Sequence, residues 1–279
     1  MPEPASEDGR GSARPLSGHA ISEAAAVLAD HRRRQAPLDG LPLGLRPGTL
    51  AEAYAIQDEL VERLTAEHAS RPIGYKVACT NAVAQEALQI DRPLFGRLLS
   101  HSTTASPARL VAANFTTRVI ECEFGLRIEA DVPITSLPYS AAEVATFVGE
   151  VLPAIEVVDH RFPDWTLGAA CIAADNAIHG HWVHGSPDLQ DWRQLDMANH
   201  VMHARIDGVL VATGSGAAVL GHPLNVLAWL ANELPRYGHR LRAGDLVTTG
   251  VCTKVFSAEA GADVVADFGS LGTVSLHWS

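Results

Sequence analysis

Arg118 to Leu126 reads Arg-Val-Ile-Glu-Cys-Glu-Phe-Gly-Leu, a strand-forming run that carries two carboxylates one residue apart. Side chains along a strand alternate between faces, so Glu121 and Glu123 point the same way, roughly 7 Å apart at about 3.3 Å of rise per residue. Two like charges held that close in an apolar run leave two solutions, a solvated face or a cation between them. Glu156 favours the second. It lies in Leu152-Pro153-Ala154-Ile155-Glu156-Val157-Val158, a run that otherwise belongs in a core, where a carboxylate without a partner is costly. Three carboxylates without a thiolate suit a hard, oxygen-seeking ion such as Mg²⁺, Mn²⁺ or Ca²⁺. Lys76, inside the short strand expected over 73–79, could offset the surplus negative charge; taken alone it also reads as a snorkelling or edge-strand lysine.

The remaining punctuation gives an α+β chain. The first seventeen residues, rich in Pro, Ser, Gly and Glu, read as a disordered tail. A helix follows over 21–35, and Thr49 with Glu52 forms a capping box for another that runs to about His68. Residues 81–89 read as a short helix, and Asp91 to Gly96 as a turn. Ser140 and Glu143 make a second capping box, for a helix that Pro153 is expected to close. Val201 to Ile206, Asp207-Gly208 and Val209 to Thr213 form a two-residue hairpin signal. Gly221-His222-Pro223 opens a helix that ends before Gly238, and Val264–Phe268 pairs with Thr273–Trp278. Few helices among many strands, without regular alternation, imply a mixed or largely antiparallel sheet system.

Charge and cysteine content limit the partners. The net charge of −11 would repel nucleic acid and anionic membranes, leaving small molecules or proteins as partners. Cys79, Cys122, Cys171 and Cys252 are scattered without a C-x-x-C, so neither a disulfide framework nor a thiolate zinc site is signalled, and a reducing cytoplasm fits. No signal-peptide core or membrane-length apolar run is present. His179, His181 and His184 form an H-x-H cluster without a suitably spaced acidic partner, and read as loop or surface histidines. Thr213-Gly214-Ser215-Gly216 lacks the pattern of a nucleophile elbow or P-loop and reads as a turn.

Several short motifs occur in a family's order: Gly74-Tyr75-Lys76-Val77-Ala78-Cys79-Thr80, the E-x-E strand, Ala154-Ile155-Glu156-Val157-Val158-Asp159-His160-Arg161, Ala174-Asp175-Asn176-Ala177, Gly214 to Leu224, and Ala243-Gly244-Asp245-Leu246-Val247-Thr248-Thr249-Gly250. From about residue 20 onward the chain resembles the 2-keto-4-pentenoate hydratase and 4-oxalocrotonate decarboxylase family, within the fumarylacetoacetate hydrolase superfamily. That resemblance implies a mixed β-roll catalytic domain over 111–279, a smaller N-terminal α/β portion over 18–110, and a homo-oligomer. It places a divalent-metal site, Mg²⁺ or Mn²⁺, on Glu121, Glu123 and Glu156, and the active-site lysine on Lys76. Family members act on 2-oxo acids or their dienols from aromatic catabolism. The resemblance therefore implies hydration of a 2-hydroxy-2,4-dienoate, with decarboxylation of a 4-oxalocrotonate-type diacid or a non-catalytic binding role as alternatives. Lys76 would then hydrogen-bond the substrate's 2-oxygen or relay a proton, a role compatible with a depressed pKa. Asp91, Phe95, Asn176, Thr249 and Lys254 are candidates for substrate contact. Two positions depart from the family pattern. Leu94 stands where such hydratases often carry an acidic residue, with Asp91 a candidate to replace it, and Lys254 occupies a late loop that usually has small residues.

Overall fold

The computed structural model describes residues 15–162, 168–187 and 191–279. The tail expected over 1–17 therefore lies outside the described residues except for 15–17. Helix α1 (Gly18–Arg34) starts at Ser17, whose hydroxyl accepts from Ala20 N, and it ends with four basic side chains against the negative end of its dipole. Helix α2 (Leu50–Glu67) opens on the expected capping box of Thr49 and Glu52 and packs on α1. Three short helices follow, α3 (Ala82–Ala87), α4 (Ala141–Ala145) and α5 (Gly168–Ala174), and then α6 (Pro223–Glu233).

Two mixed sheets carry the rest. The larger contains β1 (Pro72–Ala78), β2 (Leu94–Leu99), β3 (Thr103–Ala105), β5 (Val119–Ile128), β6 (Val148–Val158), β7 (His179–His184), β10 (Leu246–Thr248) and β11 (Phe256–Ser257). The smaller contains β4 (Ala108–Leu110), β8 (Val201–Ile206), β9 (Val209–Ser215), β12 (Asp263–Asp267) and β13 (Thr273–Trp278). The larger sheet has the order β2-β1-β10-β5-β6-β7-β3, with β11 added to β5; the smaller runs β4-β13-β12-β8-β9. Strand β10 is parallel to β1 and antiparallel to β5, so a segment of the C-terminal third joins the lysine strand to the glutamate strand. The chain is thus an α+β fold, and the boundary expected at 110/111 falls between strands that share sheets. The β8–β9 hairpin turns at Asp207 and Gly208 with φ of 49° and 81°, the two positive values a type I′ turn requires.

Three local expectations are corrected. The helix opened by Ser140 ends at Ala145, and Pro153 lies inside β6. Residues 151–158 are buried throughout, so the apolar run is a central strand; Pro153 sits just past Ala154, the last residue of β6 paired with β7, where its missing N–H leaves that ladder intact. The turn expected at Asp91 to Gly96 gives way at Leu94 to β2, because Leu94, Phe95, Leu98 and Leu99 are all buried beside β1. The histidines at 179–184 belong to strand β7, between β6 and β3, and His179 is buried.

Candidate metal centre

Sheet register brings the acids together. Glu121 on β5 is directly opposite Glu156 on β6, and Glu123 follows two residues along the same face. One carboxylate oxygen from each of the three lies within 4.8 Å of the others. Lys76 pairs with Thr248 and Thr248 with Gly125, so Lys76 shares that face, and the Trp182 ring packs on Gly125, where an added Cβ would meet it at 2.9 Å. Lys76 Nζ reaches to 3.2 Å from Glu156 Oε2 and donates to the Ala177 carbonyl at 3.1 Å.

The charges are unbalanced without a cation. Glu123 and Glu156 are fully enclosed; neither oxygen of Glu123 accepts a hydrogen bond, nor does Glu156 Oε2, whose contact with Lys76 is a charge contact without aligned geometry. Burial raises Glu121 to about 7, and burial followed by repulsion from Glu156 and Glu121 raises Glu123 well above the usual carboxylate range. Burial alone would lower Lys76, but the attraction of Glu156, Glu121 and Glu123 outweighs it and leaves the ammonium raised, opposite to the depression considered from sequence. Unpaired buried carboxylate oxygens, all hard donors, fit a divalent ion bound by Glu121, Glu123 and Glu156.

Glu156 is held from behind. Its Oε1 is 2.8 Å from His179 Nδ1, and His179 Nε2 is 3.2 Å from the Ser102 hydroxyl. Burial lowers the His179 pKa against the opposing pull of Glu156 and favours the neutral ring. Nothing in the H-x-H spacing signals this pairing, since Glu156 is distant in sequence and β6 and β7 change register between Val157 and Val158.

The other candidates divide. Leu94 shares the Lys76 face and is fully buried, so an apolar wall stands where an acid was expected. The Asp91 side chain is 80% exposed and pairs with Arg92 at 2.9 Å. Phe95 stacks on Tyr54 with ring centroids 4.0 Å apart, inside an aromatic group with Tyr75 and Tyr237. The Asn176 amide is committed to both backbone groups of Arg97, at 2.7 and 3.0 Å, and Thr249 donates to Phe124 O at 3.0 Å. Lys254 is exposed. Thr80 and Thr248, among the buried hydroxyls without partners, were not among the candidates, although Thr248 lies beside Lys76.

Residues 72–277 match the family model described as Fumarylacetoacetate (FAA) hydrolase C-terminal. A 2-keto-4-pentenoate hydratase of Burkholderia vietnamiensis (strain G4 / LMG 22486) is 33% identical over 227 residues, covering 81% of this chain and 85% of that protein. A 4-oxalocrotonate decarboxylase of Pseudomonas putida is 27% identical over 230 residues, 82% of this chain and 86% of that protein. The structure of 4-oxalocrotonate decarboxylase from Pseudomonas putida G7, complexed with magnesium and adipate, superposes with a TM-score of 0.88 at 22% identity, covering 96% of this chain and all of that one.

Proposed function

The chain belongs to the fumarylacetoacetate hydrolase family, and from that premise we propose that it is a divalent-cation-dependent lyase of 2-oxo acids that hydrates a 2-hydroxy-2,4-dienoate in aromatic catabolism. The observation that carries this reading is the triad of Glu121, Glu123 and Glu156, the last two fully buried, beside Lys76. Mg²⁺ is the proposed ion, with Mn²⁺ the alternative; when bound, it supplies a Lewis acid for the substrate's carboxylate and 2-oxo oxygens. Lys76 Nζ has three protons, of which one goes to Ala177 O and one faces Glu156. The third is available to the substrate's 2-oxygen as negative charge develops there, and to a proton transfer at the adjacent carbon. The four free cysteines agree with a reducing cytoplasm, and among the described residues no helix is long and apolar enough to cross a membrane. Exposed Val201, Val209 and Leu210 on the β8–β9 hairpin offer an apolar surface for the proposed homo-oligomer.

A second reading, decarboxylation of a 4-oxalocrotonate-type diacid, is favoured by Leu94. Losing CO₂ into an electron sink at the 2-oxo group needs no acid to activate water, and the Lys76 face carries none at this position. The test uses purified protein with Mg²⁺, following ultraviolet loss of a 2-hydroxy-2,4-dienoate in parallel with CO₂ release from the diacid. Loss of the dienoate, abolished in Glu123→Ala, supports hydration; CO₂ release alone supports the second reading; activity on neither favours a non-catalytic binding protein.

A further inference from the structure

The geometry points to His179 as a positioning residue that sets Glu156 for the cation, presented by a strained left-handed turn just before β7. The inference rests on the proposed metal centre and assigns a role to an imidazole that neither the chemistry above nor the H-x-H pattern uses. Asn176, Ala177 and Ile178 have φ of 53°, 47° and 55° in succession. Non-glycine residues visit this region singly and at a cost of roughly 1–2 kcal/mol each, and a β-branched isoleucine there is an outlier. Such strain persists only where the surroundings over-determine it.

The surroundings here do so. Arg32 donates to Asp175 Oδ1 at 2.7 Å, to Asp175 O at 2.6 Å and to His179 O at 3.0 Å, so one guanidinium spans the turn from end to end. Arg161 holds the other Asp175 oxygen at 3.0 Å, and Asn176 locks onto the Arg97 backbone. The turn also presses on β2 at Gly96, where an added Cβ would meet Asn176 O at 2.5 Å. Two groups are thereby aimed at the metal centre from one short segment. The Ala177 carbonyl accepts a hydrogen bond from Lys76, and His179 Nδ1 meets Glu156 Oε1.

The hydrogen-bond directions follow from the partners. A carboxylate only accepts, so His179 donates through Nδ1–H to Glu156, while its Nε2 lies 3.2 Å from the Ser102 hydroxyl, whose one proton also has the Leu99 carbonyl in reach at 3.3 Å. Glu156 Oε1 is then occupied, and Oε2 is left toward Lys76 and the cation. Hydrogen bonds behind a metal ligand fix its orientation, and losing one typically weakens metal affinity 10- to 100-fold.

Calorimetric titration with Mn²⁺ alone, together with the paramagnetic resonance spectrum of the bound ion, tests this on His179→Leu, His179→Asn and His179→Gln. Asparagine can place its amide nitrogen near the Nδ1 position, whereas glutamine reaches nearer Nε2. His179→Leu and His179→Gln are expected to weaken Mn²⁺ about 10- to 100-fold and broaden the spectrum, and His179→Asn to stay within a few-fold of wild type. Wild-type affinity in His179→Leu would overturn the proposal. If that variant does not fold, equal affinity in the asparagine and glutamine variants overturns it instead. Failure of the wild-type protein itself to bind Mn²⁺ would sink the metal centre, a distinguishable result.

Discussion

Glu123 is enclosed with both oxygens unpartnered, so what it contributes depends on what lies between it and its two neighbours. In the metal-free protein the carboxylate is a liability, and Glu123→Gln is expected to leave stability unchanged or raise it by about 1–3 kcal/mol. The same substitution should abolish the rise in melting temperature on adding Mg²⁺; melts with chelator and with excess Mg²⁺ check both halves. A variant that loses stability in chelator yet still responds to Mg²⁺ would contradict this account. Lys76 should behave differently, because its Nζ is available to the substrate while the carboxylates supply the ion's ligands. Lys76→Met is expected to lower turnover about 10²- to 10⁴-fold without weakening Mg²⁺, since a positive charge next to the ion is removed. Parallel losses in turnover and affinity would count against proton relay.

At the scale of the element, the left-handed turn and the strands beside it carry the burden. Gly96→Ala would drive a methyl group into Asn176 O and is expected to cost about 1–3 kcal/mol, seen as a lower urea midpoint accompanied by loss of turnover. Strand β7 supplies a pH dependence. Burial, followed by repulsion from His179 and His101, lowers His181 from about 6.5 to about 4. Between those values the unfolded chain takes up the proton and the folded one resists it. The stabilising contribution is therefore complete above about pH 6.5 and is lost as the pH falls toward 4, by at most ~3 kcal/mol. With Mg²⁺ held saturating, the fall in urea midpoint from pH 7 to pH 5 should be shallower in His181→Asn than in wild type. The β5 strand was legible in sequence because period-two chemistry is written directly into Glu-Cys-Glu, and both capping boxes were legible because their partners are three residues apart. The turn at 176–178 was not, because only the Asn of Asn-Ala-Ile leans toward positive φ; for Ala177 and Ile178 it is imposed by Arg32, Arg97 and Lys76 from elsewhere in the chain. For the same reason Asn176 and Thr249 were singled out from motifs, while their polar atoms turn out to be committed to backbone.

For the whole molecule, an ion bound only by the folded state adds stability in proportion to the logarithm of its concentration, about 2.7 kcal/mol at one hundred times its dissociation constant. Melting temperature should therefore climb steadily with Mg²⁺ and return to baseline with chelator; a flat response would remove the metal centre from the stability of the fold. The mixed topology was anticipated from the irregular order of helices and strands, but the strand neighbours were not, since β1, β10 and β5 come from three widely separated stretches. That arrangement has a consequence for how the protein is made. Lys76 and Glu123 leave the ribosome well before the strand that stitches their two strands together, Leu246–Thr248, which follows far behind both in the chain. At ordinary translation speeds the two halves of the site wait on the order of ten seconds for it, with the edges of β1 and β5 open to pairing with other nascent chains. A premature stop shortly before residue 246 would therefore leave the lysine strand and the glutamate strand without the strand that joins them.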